Sequence, residues 1–406
     1  MTLEHHEWQP IVRRALLIQE TPFYLFAWEP IQAALDALTR ISGPVPIRHW
    51  LSFKTHPFAP LVREWNRLGL GVEVVSRYEL DAVLAEGFPA SRILVNGVLK
   101  HAWLAAYTQP GLSVHFDSYR EVEALAPVAE HQNWTVGLRL QVHQAFDPDE
   151  PDYPSQFGMT LSEAGQSIAV LGRHGLAVKS IHFHLRSNVD DIGCYQDAIT
   201  EVAAACGYLN IAPEYLDIGG GFPVPGERRP GSDLVYPDLT LGFARAIEEA
   251  TIKLPSIRAV WMENGRFLSG RSGVLVITVL DRKERLNTRF LICDGGRTNH
   301  ALVSDWERHS IFRMAERTAA QCWTTVAGPT CMAFDRLLRA WLPEDITVGD
   351  VLVWTGAGAY HLPWETRFSH GHAPVLWYDR DGQMTLVRER ESFGTWWGGW
   401  RSAGNP

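Results

Sequence analysis

The sequence predicts an α/β protein that combines a closed (β/α)8, TIM-like barrel with a smaller β-rich domain. Apolar runs of strand length alternate with segments of helical periodicity from about residue 50 to residue 265. Eight such runs are present, which is the number of strands in a closed barrel of this type. After Arg266 the pattern changes to closely spaced strands separated by turn residues. A doubly wound open sheet is the alternative arrangement for the alternating part.

Each predicted barrel strand is followed by a segment with helical spacing, which implies right-handed crossovers and a parallel sheet. The predicted strands cover residues 50–54, 71–76, 92–97, 112–118, 135–142, 178–185, 215–220 and 259–265. The segments between them include LVREWNRLG, YELDAVLAEG, EVEALAPVAEH and DAITEVAAACGY. Residues 31–38, before the first of these strands, also have helical periodicity.

The second predicted domain is built mainly from strands. These strands cover residues 273–280, 289–294, 350–354 and 373–378, whereas only residues 334–342 have a helical pattern. A short strand at 23–26 is a candidate to join this domain. The predicted boundaries are therefore residues 27–268 for the barrel, with residues 1–26 and 269–406 in the β-rich domain.

The composition is that of an ordinary globular protein and argues against several functional classes. The 406 residues carry a net charge of -9 and no basic run, which argues against a nucleic-acid partner. No apolar run reaches transmembrane length and no signal-peptide pattern is visible, so we expect no membrane partner. The five cysteines lack metal-binding or C-x-x-C spacing, so we expect a cytoplasmic location and no metal site.

Lys54 is the residue around which the predicted site is built. It ends the apolar run 50–53 and precedes the segment Thr55-His56-Pro57. A buried ammonium group costs free energy unless it is paired or its pKa is lowered, and a lowered pKa is what a Schiff-base lysine needs. The alternative is a lysine that extends from a strand end into water.

Chemically active residues fall at the predicted C-terminal ends of the barrel strands, where barrel enzymes carry their active sites. These strand ends and the loops after them hold Lys54, Glu73, Arg139, His182, His184, Arg186, Ser187, Asp217, Gly219, Gly220, Gly221, Glu263 and Arg266. Their common placement, rather than any single residue, predicts an active site on this rim of the barrel.

The glycine run 219–221 can present backbone N–H groups to a phosphate, at a position where barrels often bind one. It is not a dinucleotide fingerprint, because the glycines are contiguous and Pro223 and Pro225 follow where a helix should open. Arg266, after the eighth strand, could add a cation to the same phosphate site. A plain tight turn is the alternative explanation for the glycines.

A lysine able to form a Schiff base, together with a phosphate site, suggests pyridoxal 5′-phosphate as the cofactor. A carboxylate beside the pyridine nitrogen keeps the ring protonated, and Glu263 is placed for this role. An aromatic or imidazole face should cover the ring, and His184 is placed for that contact. His182 shares the strand face of His184 but lies nearer the barrel interior, so we interpret it as structural.

Taken together, these motifs resemble those of the fold-type III pyridoxal-phosphate decarboxylases, which include the diaminopimelate and ornithine decarboxylases. The resemblance extends from about Thr21 to Gly371. Its motifs are SFKTHP (52–57), VSRYEL (75–80), HFH (182–184), LDIGGGFP (216–223), ENGR (263–266), CDGG (293–296), GPTC (328–331) and GAY (358–360). Alanine racemases share the barrel, the lysine and the cofactor, but the GPTC and GAY segments resemble the decarboxylases.

The resemblance implies a role for each matching residue. Lys54 would bind the cofactor covalently, His184 would stack on its ring, and Glu263 would bind its pyridine nitrogen. The phosphate would be held by Ser187, Gly219, Gly220, Gly221, Arg266 and Tyr360. Cys331 would return a proton to the substrate after carbon dioxide leaves, and Asp294 would face the substrate. In the family the active sites form at a homodimer interface, with this cysteine donated by the other subunit, whereas composition alone would make Cys331 a buried thiol.

The sequence departs from the family pattern toward basic residues near the predicted substrate site. Met332 follows Cys331, where ornithine and diaminopimelate decarboxylases carry an acid that binds the distal ammonium of the substrate. The basic candidates for substrate binding are Arg186, which stands where the family usually has glycine, Arg297, His361 and Arg367, with His300 nearby. Guanidinium groups suit carboxylates, so we predict a substrate with an anionic distal end. The alternative is that these arginines are surface charges.

An amino acid conjugated to citrate fits this prediction. Relatives in the family decarboxylate such conjugates during siderophore biosynthesis, and the WETRFSHG segment (364–371) resembles theirs. The alternatives are a decarboxylase of free diaminopimelate, ornithine or lysine, a racemase, or an inactive family member that acts as a binding or regulatory protein. The last is disfavoured because the full set of Lys54, His184, Glu263, Cys331 and Tyr360 is present.

Overall fold

The structure is a computed structural model that describes residues 5–143, 145, 155–300, 307–317 and 319–401. The chain forms two compact units. The barrel unit comprises Asp36–Gly226 and Tyr236–Phe267, and the sheet unit comprises the residues up to Leu35, Glu227–Val235 and the residues from Leu268 onward. The domain boundaries predicted from the sequence stay a prediction.

The barrel unit contains a closed barrel of eight parallel strands, counted over the described residues. The barrel strands, numbered 1 to 8 in chain order, are Ile47–Ser52, Gly71–Val74, Ile93–Val95, Ser113–Phe116, Thr135–Arg139, Ser180–His182, Tyr215–Asp217 and Ala259–Asn264. Strand 1 pairs with strand 8, with Trp50 opposite Glu263, and this pairing closes the barrel. The predicted barrel is therefore confirmed, and the open-sheet alternative is wrong.

Several of the helices that accompany the barrel begin at residues with capping side chains. Their bounds are Trp28–Thr39, Ala59–Arg67, Arg77–Ala85, Tyr119–His131, Leu161–Arg173, Ile192–Leu209, Thr240–Lys253 and Arg266–Ser269, with 3-10 turns at Phe53–Thr55, Ala90–Arg92, Lys100–Ala102 and Leu104–Ala106. Ser76 and Ser118 accept hydrogen bonds from backbone N–H groups in the first turn of the helices that follow them. Thr160 and Glu163 form a capping box.

The barrel interior changes from apolar to polar toward the C-terminal ends of the strands. Trp50, Leu94, Ala259 and Trp261 form a buried apolar cluster. Trp261 and Glu263 lie two residues apart on the same face of strand 8, because side chains alternate along a strand. The apolar cluster thus supports a buried carboxylate at the end where barrel active sites form.

The sheet unit contains a nine-stranded mixed sheet, counted over the residues that the structure describes. Its strands are Phe23–Ala27, Gly273–Arg285, Thr288–Cys293, Ile311–Arg313, Gln321–Ala327, Arg336–Pro343, Val351–Thr355, Val375–Tyr378 and Met384–Arg388. Phe23–Ala27 pairs with Gly273–Arg285 on one side and with Val375–Tyr378 on the other. The early strand therefore belongs to this sheet.

Short helices complete the sheet unit. They are His5–Leu16, His361–Trp364 and Phe393–Gly398, with 3-10 turns at Gly270–Ser272 and Arg297–Asn299. Within the described ranges, none of the helices of either unit has both the length and the apolar character needed to cross a bilayer.

The prediction of a helix at residues 334–342 is wrong. Arg336–Pro343 is a strand that pairs antiparallel with Gln321–Ala327, with Trp341 opposite Trp323. The rings of these two tryptophans lie 5.8 Å apart between centroids. The apolar residues of this segment fit helical spacing when taken alone, but the ladder and its cross-strand side-chain pairs decide the structure.

Candidate active site

Lys54 lies in the 3-10 turn directly after barrel strand 1 and is held by a carboxylate on strand 2. Its Nζ is 3.0 and 2.8 Å from the two carboxylate oxygens of Glu73. The Glu73 side chain is 1% exposed, whereas that of Lys54 is 35% exposed. The ammonium group is therefore turned toward a buried carboxylate at the strand end rather than extended into water.

Two acidic side chains near Lys54 have raised pKa values. Burial raises the pKa of Glu73, the charge of Lys54 lowers it, and the neighbouring Glu263 raises it again. Glu79, in the first turn of the helix after strand 2, accepts a hydrogen bond from the Val75 N–H at 2.7 Å. Burial raises the pKa of Glu79 to about 7, which places its titration near neutral pH.

His184 follows barrel strand 6 and is fixed by the glycine run after strand 7. Its Nδ1 accepts a hydrogen bond from the Gly220 N–H at 3.2 Å and lies 3.8 Å from a carboxylate oxygen of Glu263. Burial lowers the pKa of His184 to about 3, so the imidazole is neutral at physiological pH. The backbone contact therefore sets both the tautomer and the orientation of the ring.

Glu263 is buried near the end of barrel strand 8, with 4% of its surface exposed. Its Oε1 accepts a hydrogen bond from Asn96 Nδ2 and lies 3.2 Å from His182 Nε2. Burial lowers the pKa of His182 well below its usual value, so this imidazole is a neutral neighbour. The sequence analysis missed Asn96. Its signal was a polar residue directly after the apolar strand 3.

The glycine run after strand 7 is required by packing and by backbone conformation. A Cβ atom on any of its three glycines would lie 2.2 to 2.6 Å from a backbone oxygen. Gly219 and Gly221 also have φ values of +67° and +91°, which favour glycine. The Gly219 N–H donates to Asp217 at 2.9 Å and the Gly220 N–H donates to His184, so two of the three amides are already engaged. The phosphate-binding role of the run stays a prediction.

The remaining predicted residues of the barrel unit lie on the loops after strands 6 and 8. Ser187 is exposed in a turn, and Arg186 is half-buried with its Nη2 3.9 Å from Cys194 Sγ. Arg266 is half-buried at the start of the helix Arg266–Ser269. Their roles toward phosphate or substrate also stay predictions.

Asp294 lies in the sheet unit, directly after the strand Thr288–Cys293. Its carboxylate accepts hydrogen bonds from the Thr21 hydroxyl at 2.6 Å and from the Thr278 N–H at 2.8 Å. Burial raises the pKa of Asp294. The side chain lines a cavity of about 170 Å³ that His370 and Arg390 also line. The role of Asp294 toward the substrate stays a prediction.

Cys331 is exposed on the loop between two paired strands of the sheet unit. Asp335 organises this loop, because its carboxylate accepts hydrogen bonds from the Thr330 N–H at 3.0 Å and from the Arg297 N–H at 2.6 Å. Met332 is half-buried in the same loop. The composition-based expectation of a buried thiol is therefore wrong, since the loop holds Cys331 at the surface.

His361 and His300 are buried structural histidines in the sheet unit, each with 0% exposure. His361 Nε2 accepts a hydrogen bond from Trp354 Nε1 at 3.2 Å, and its Nδ1 is 3.0 Å from the Ala359 carbonyl oxygen. His300 stacks on Trp354, with 5.0 Å between the two ring centroids. This packing gives the predicted substrate-binding role of His361 no support.

The last two predicted site residues of the sheet unit are Tyr360 and Arg367. Tyr360 has a φ of +62° and directly precedes the helix His361–Trp364. Arg367 forms an ion pair with Glu391 at 2.6 Å, and its backbone oxygen accepts a hydrogen bond from Trp396 Nε1. A substrate carboxylate would have to compete with Glu391 for this guanidinium group.

The barrel and its rim define a class of enzyme. Four features fit a pyridoxal phosphate cofactor. They are an amine at the end of strand 1, a buried carboxylate on strand 8, a neutral imidazole after strand 6 and a tight glycine loop. Lys54 supplies an amine that can bond to an aldehyde, and Glu263 supplies an acceptor for a ring nitrogen. The donor set is therefore suited to this group by its chemistry.

A family comparison makes the assignment more specific. Residues 32–270, more than half of the chain, match the family model described as pyridoxal-dependent decarboxylase, pyridoxal binding domain. The chain belongs to this family. It is a pyridoxal-phosphate-dependent amino acid decarboxylase, and pyridoxal 5′-phosphate is its cofactor.

Individual relatives extend the likeness over nearly the whole chain. A diaminopimelate decarboxylase of Deinococcus radiodurans is 28% identical over 402 residues, covering 97% of this chain and 98% of the relative. An L-glutamyl-[BtrI acyl-carrier protein] decarboxylase of Niallia circulans is 27% identical and covers 91% of both chains. The crystal structure of diaminopimelate decarboxylase from Helicobacter pylori complexed with L-lysine has a TM-score of 0.83 at 22% identity, covering 95% of this chain and 98% of that one. At that identity the likeness shows the fold.

Proposed function

We propose that this decarboxylase acts on an amino acid or amino-acid conjugate with an anionic distal end, such as a citryl-amino acid in siderophore biosynthesis. The observation that carries the proposal is Met332, which follows Cys331 in the exposed loop. The family's diamino-acid decarboxylases have an acid at this position for the distal ammonium of the substrate. A thioether cannot pair with an ammonium group, so a basic substrate loses its distal partner here.

A positive charge near the same loop supports an anionic substrate. The guanidinium carbon of Arg297 lies 5.8 Å from the centroid of the Phe334 ring, two residues beyond Met332. Arg297 therefore contributes more to the proposal than Arg367, whose charge is already paired with Glu391. The relative named for L-glutamate on an acyl-carrier protein also supports a conjugated rather than a free amino acid as substrate.

We also propose roles for the residues of the predicted cofactor site. When bound, pyridoxal phosphate supplies the electron sink that makes loss of carbon dioxide from the substrate possible. Lys54 binds the cofactor covalently, and Glu73 holds its ammonium group when that bond is open. Glu263 accepts a hydrogen bond from the ring nitrogen, and the neutral His184 covers the ring. By the resemblance to the family, the phosphate would be held by Ser187, Gly219, Gly220, Gly221, Arg266 and Tyr360.

We also infer a homodimer with shared active sites. Cys331 lies on an exposed loop together with Phe334, which is 56% exposed. Trp323 and Trp341, on the two strands that this loop connects, are 39% and 64% exposed. An exposed apolar patch of this kind marks an interface, and a second copy of the chain would cover it. Cys331 would then protonate the substrate carbon in the partner's active site.

The cysteines support a cytoplasmic location as part of the proposal. All five, at positions 194, 206, 293, 322 and 331, are free thiols. Free thiols are the usual state in reducing compartments, where disulfides are rare. Disulfide-free thiols would persist through purification under reducing conditions.

Carbon dioxide release by the purified, pyridoxal-phosphate-loaded protein tests the substrate class. The panel holds citryl-serine, citryl-diamino acid conjugates, and both enantiomers of free diaminopimelate, ornithine and lysine. We expect the highest kcat/KM with a citryl conjugate and no turnover by Lys54→Ala. Faster turnover of a free diamino acid would contradict the proposal. Inversion of the α-carbon without carbon dioxide release would instead reveal a racemase.

A second candidate substrate class is a free diamino acid. It is favoured by the diaminopimelate decarboxylases among the relatives, one of which matches 97% of this chain. The same panel separates the two candidates, because a diamino acid and a citryl conjugate differ in the charge of the distal end. An intact protein with neither activity would point to a regulatory family member.

A further inference from the structure

A chain of buried hydrogen bonds crosses the barrel interior and ends on Glu263. Asn96 Nδ2 donates to Glu263 Oε1, and Asn96 Oδ1 lies 2.9 Å from His115 Nδ1. His115 Nε2 in turn lies 2.8 Å from Ser180 Oγ. The four residues come from strands 3, 4, 6 and 8 or directly follow them, and none is more than 4% exposed. These hydrogen bonds thus link strands that are distant in sequence to the Glu263 carboxylate.

The donor and acceptor roles along this series of hydrogen bonds follow from the chemistry of the four side chains. Asn96 directs its NH2 group at a carboxylate oxygen of Glu263, so its own oxygen is directed at His115. His115 must then donate from Nδ1 and accept at Nε2 from the Ser180 hydroxyl. Burial lowers the pKa of His115 well below its usual value, so the neutral ring has one N–H to donate. Ser180 therefore fixes the orientation of Asn96 without touching Glu263.

A glycine on strand 5 leaves the space that the hydrogen bond between His115 and Ser180 needs. A Cβ atom on Gly137 would lie 2.0 Å from Ser180 Oγ and 2.5 Å from His115 Cδ2. Glycine weakens the interior of a strand, so its presence in the middle of Thr135–Arg139 needs a local reason. The contact between His115 and Ser180 supplies that reason, because any larger side chain would displace it.

We propose that Asn96, oriented by His115 and Ser180, is a positioning residue that holds the Glu263 carboxylate in one orientation for the pyridine nitrogen. The proposal rests on the role proposed above for Glu263. Glu73, Asp217, His182 and His184 also face Glu263. Three carboxylates share this buried region, so a dedicated donor on Glu263 selects which of them accepts from the cofactor.

The test uses apo-protein reconstituted with pyridoxal phosphate labelled with ¹⁵N in its ring. The ¹⁵N chemical shift reports whether the ring nitrogen is protonated. We expect Asn96→Leu to move the signal toward that of neutral pyridine and Ser180→Ala to move it part of the way. Cofactor dissociation should also be faster, with a larger increase for Asn96→Leu than for Ser180→Ala, because only Asn96 contacts Glu263 directly.

Ser167→Ala is the matched control. Ser167 is also 0% exposed, but its hydroxyl contacts Met159 Sδ at 3.3 Å and lies outside the chain of hydrogen bonds. An unchanged ¹⁵N signal in a folded, cofactor-loaded Asn96→Leu protein would overturn the proposal, as would an equal change in Ser167→Ala. Glu263→Gln distinguishes a failure of the proposed role of Glu263 from a failure of the proposed role of Asn96. If it leaves the signal unchanged, the role of Glu263 fails. If only Glu263→Gln moves the signal, the role of Asn96 fails alone.

Discussion

Glu79 is a residue whose ionisation we expect to change stability near neutral pH. Burial raises its pKa from 4.5 to about 7 in the folded protein. The folded state then binds more protons than the unfolded state between these two values. The free energy of unfolding therefore falls as the pH rises from about 4.5 to about 7 through this group.

Glu79→Gln should remove this pH dependence. We expect the free energy of unfolding of the variant, relative to the unmodified protein, to rise by about 1–3 kcal/mol between pH 4.5 and pH 8. Urea unfolding of the apo-protein at several pH values measures the difference. Glu123→Gln, at a side chain that is 50% exposed, is the control. A difference between Glu79→Gln and the unmodified protein that does not vary with pH would contradict the prediction.

Met332 is the residue at which we expect substrate preference to be switched. Met332→Asp restores a carboxylate for a distal ammonium group, and a hydrogen-bonded charge pair of this kind favours binding by about 10-fold or more. We expect kcat/KM for diaminopimelate or lysine to rise by that factor and kcat/KM for a citryl conjugate to fall. Ala333→Asp adds the same charge one residue further along the loop and is the control. Equal effects of the two variants would show that position 332 has no special role.

At the scale of elements, the loop after barrel strand 7 should tolerate an added side chain poorly. A Cβ on Gly221 would lie 2.2 Å from the Arg186 backbone oxygen, at a φ of +91°. Gly175 has a similar positive φ of +68° but nothing within 4 Å of the added atom. The two positions therefore share the conformational penalty and differ in the steric one.

We expect Gly221→Ala to lower the free energy of unfolding by about 2–4 kcal/mol and to weaken cofactor binding. Gly175→Ala should cost about 1 kcal/mol and leave cofactor affinity unchanged. Urea unfolding of the apo-protein and titration with pyridoxal phosphate measure the two effects. Similar affinities for the two variants would mean that the loop does not shape the cofactor site.

The elements also show which parts of the fold could be predicted from sequence. The barrel strands were predictable because apolar segments of strand length recur along the sequence between segments of helical periodicity. The strand Arg336–Pro343 was not, because its pairing with Gln321–Ala327 decides its structure. The helix His5–Leu16 was missed, since Pro10 interrupts its pattern.

The same distinction holds for the site. Lys54 and Glu263 were predictable because each ends an apolar run, where barrel enzymes carry functional groups. Asn96 was not, because its contact with Glu263 spans 167 residues and appears only when the barrel closes. His361 is the opposite case, a residue that the sequence predicted in the site without support from the structure. Its position after the GAY segment suggested substrate binding, but its side chain is fully buried.

At the scale of the whole molecule, the proposed shared-site dimer predicts complementation between two inactive variants. Lys54→Ala lacks the cofactor amine, and Cys331→Ala lacks the proposed proton donor. Mixed dimers would contain one intact site in two, so random mixing of equal amounts should restore about a quarter of the normal activity. Carbon dioxide release before and after mixing measures the effect.

Each variant mixed with itself is the control for that experiment. If Lys54 and Cys331 served the same site from one chain, no mixed dimer would contain an intact pair and the activity would stay absent. Sedimentation of the mixture would establish that dimers had formed. Absent activity in confirmed mixed dimers would therefore contradict the shared site.

The central strand Phe23–Ala27 has a consequence for how the chain is made. Its five side chains are 0% exposed, and its partners belong to Gly273–Arg285 and Val375–Tyr378. On the ribosome this strand emerges about 250 residues before its first partner, so the nascent chain carries an unpaired apolar strand while the whole barrel is synthesised. Such a segment is a natural binding site for chaperones during translation. The barrel is in effect an insertion between neighbouring strands of one sheet.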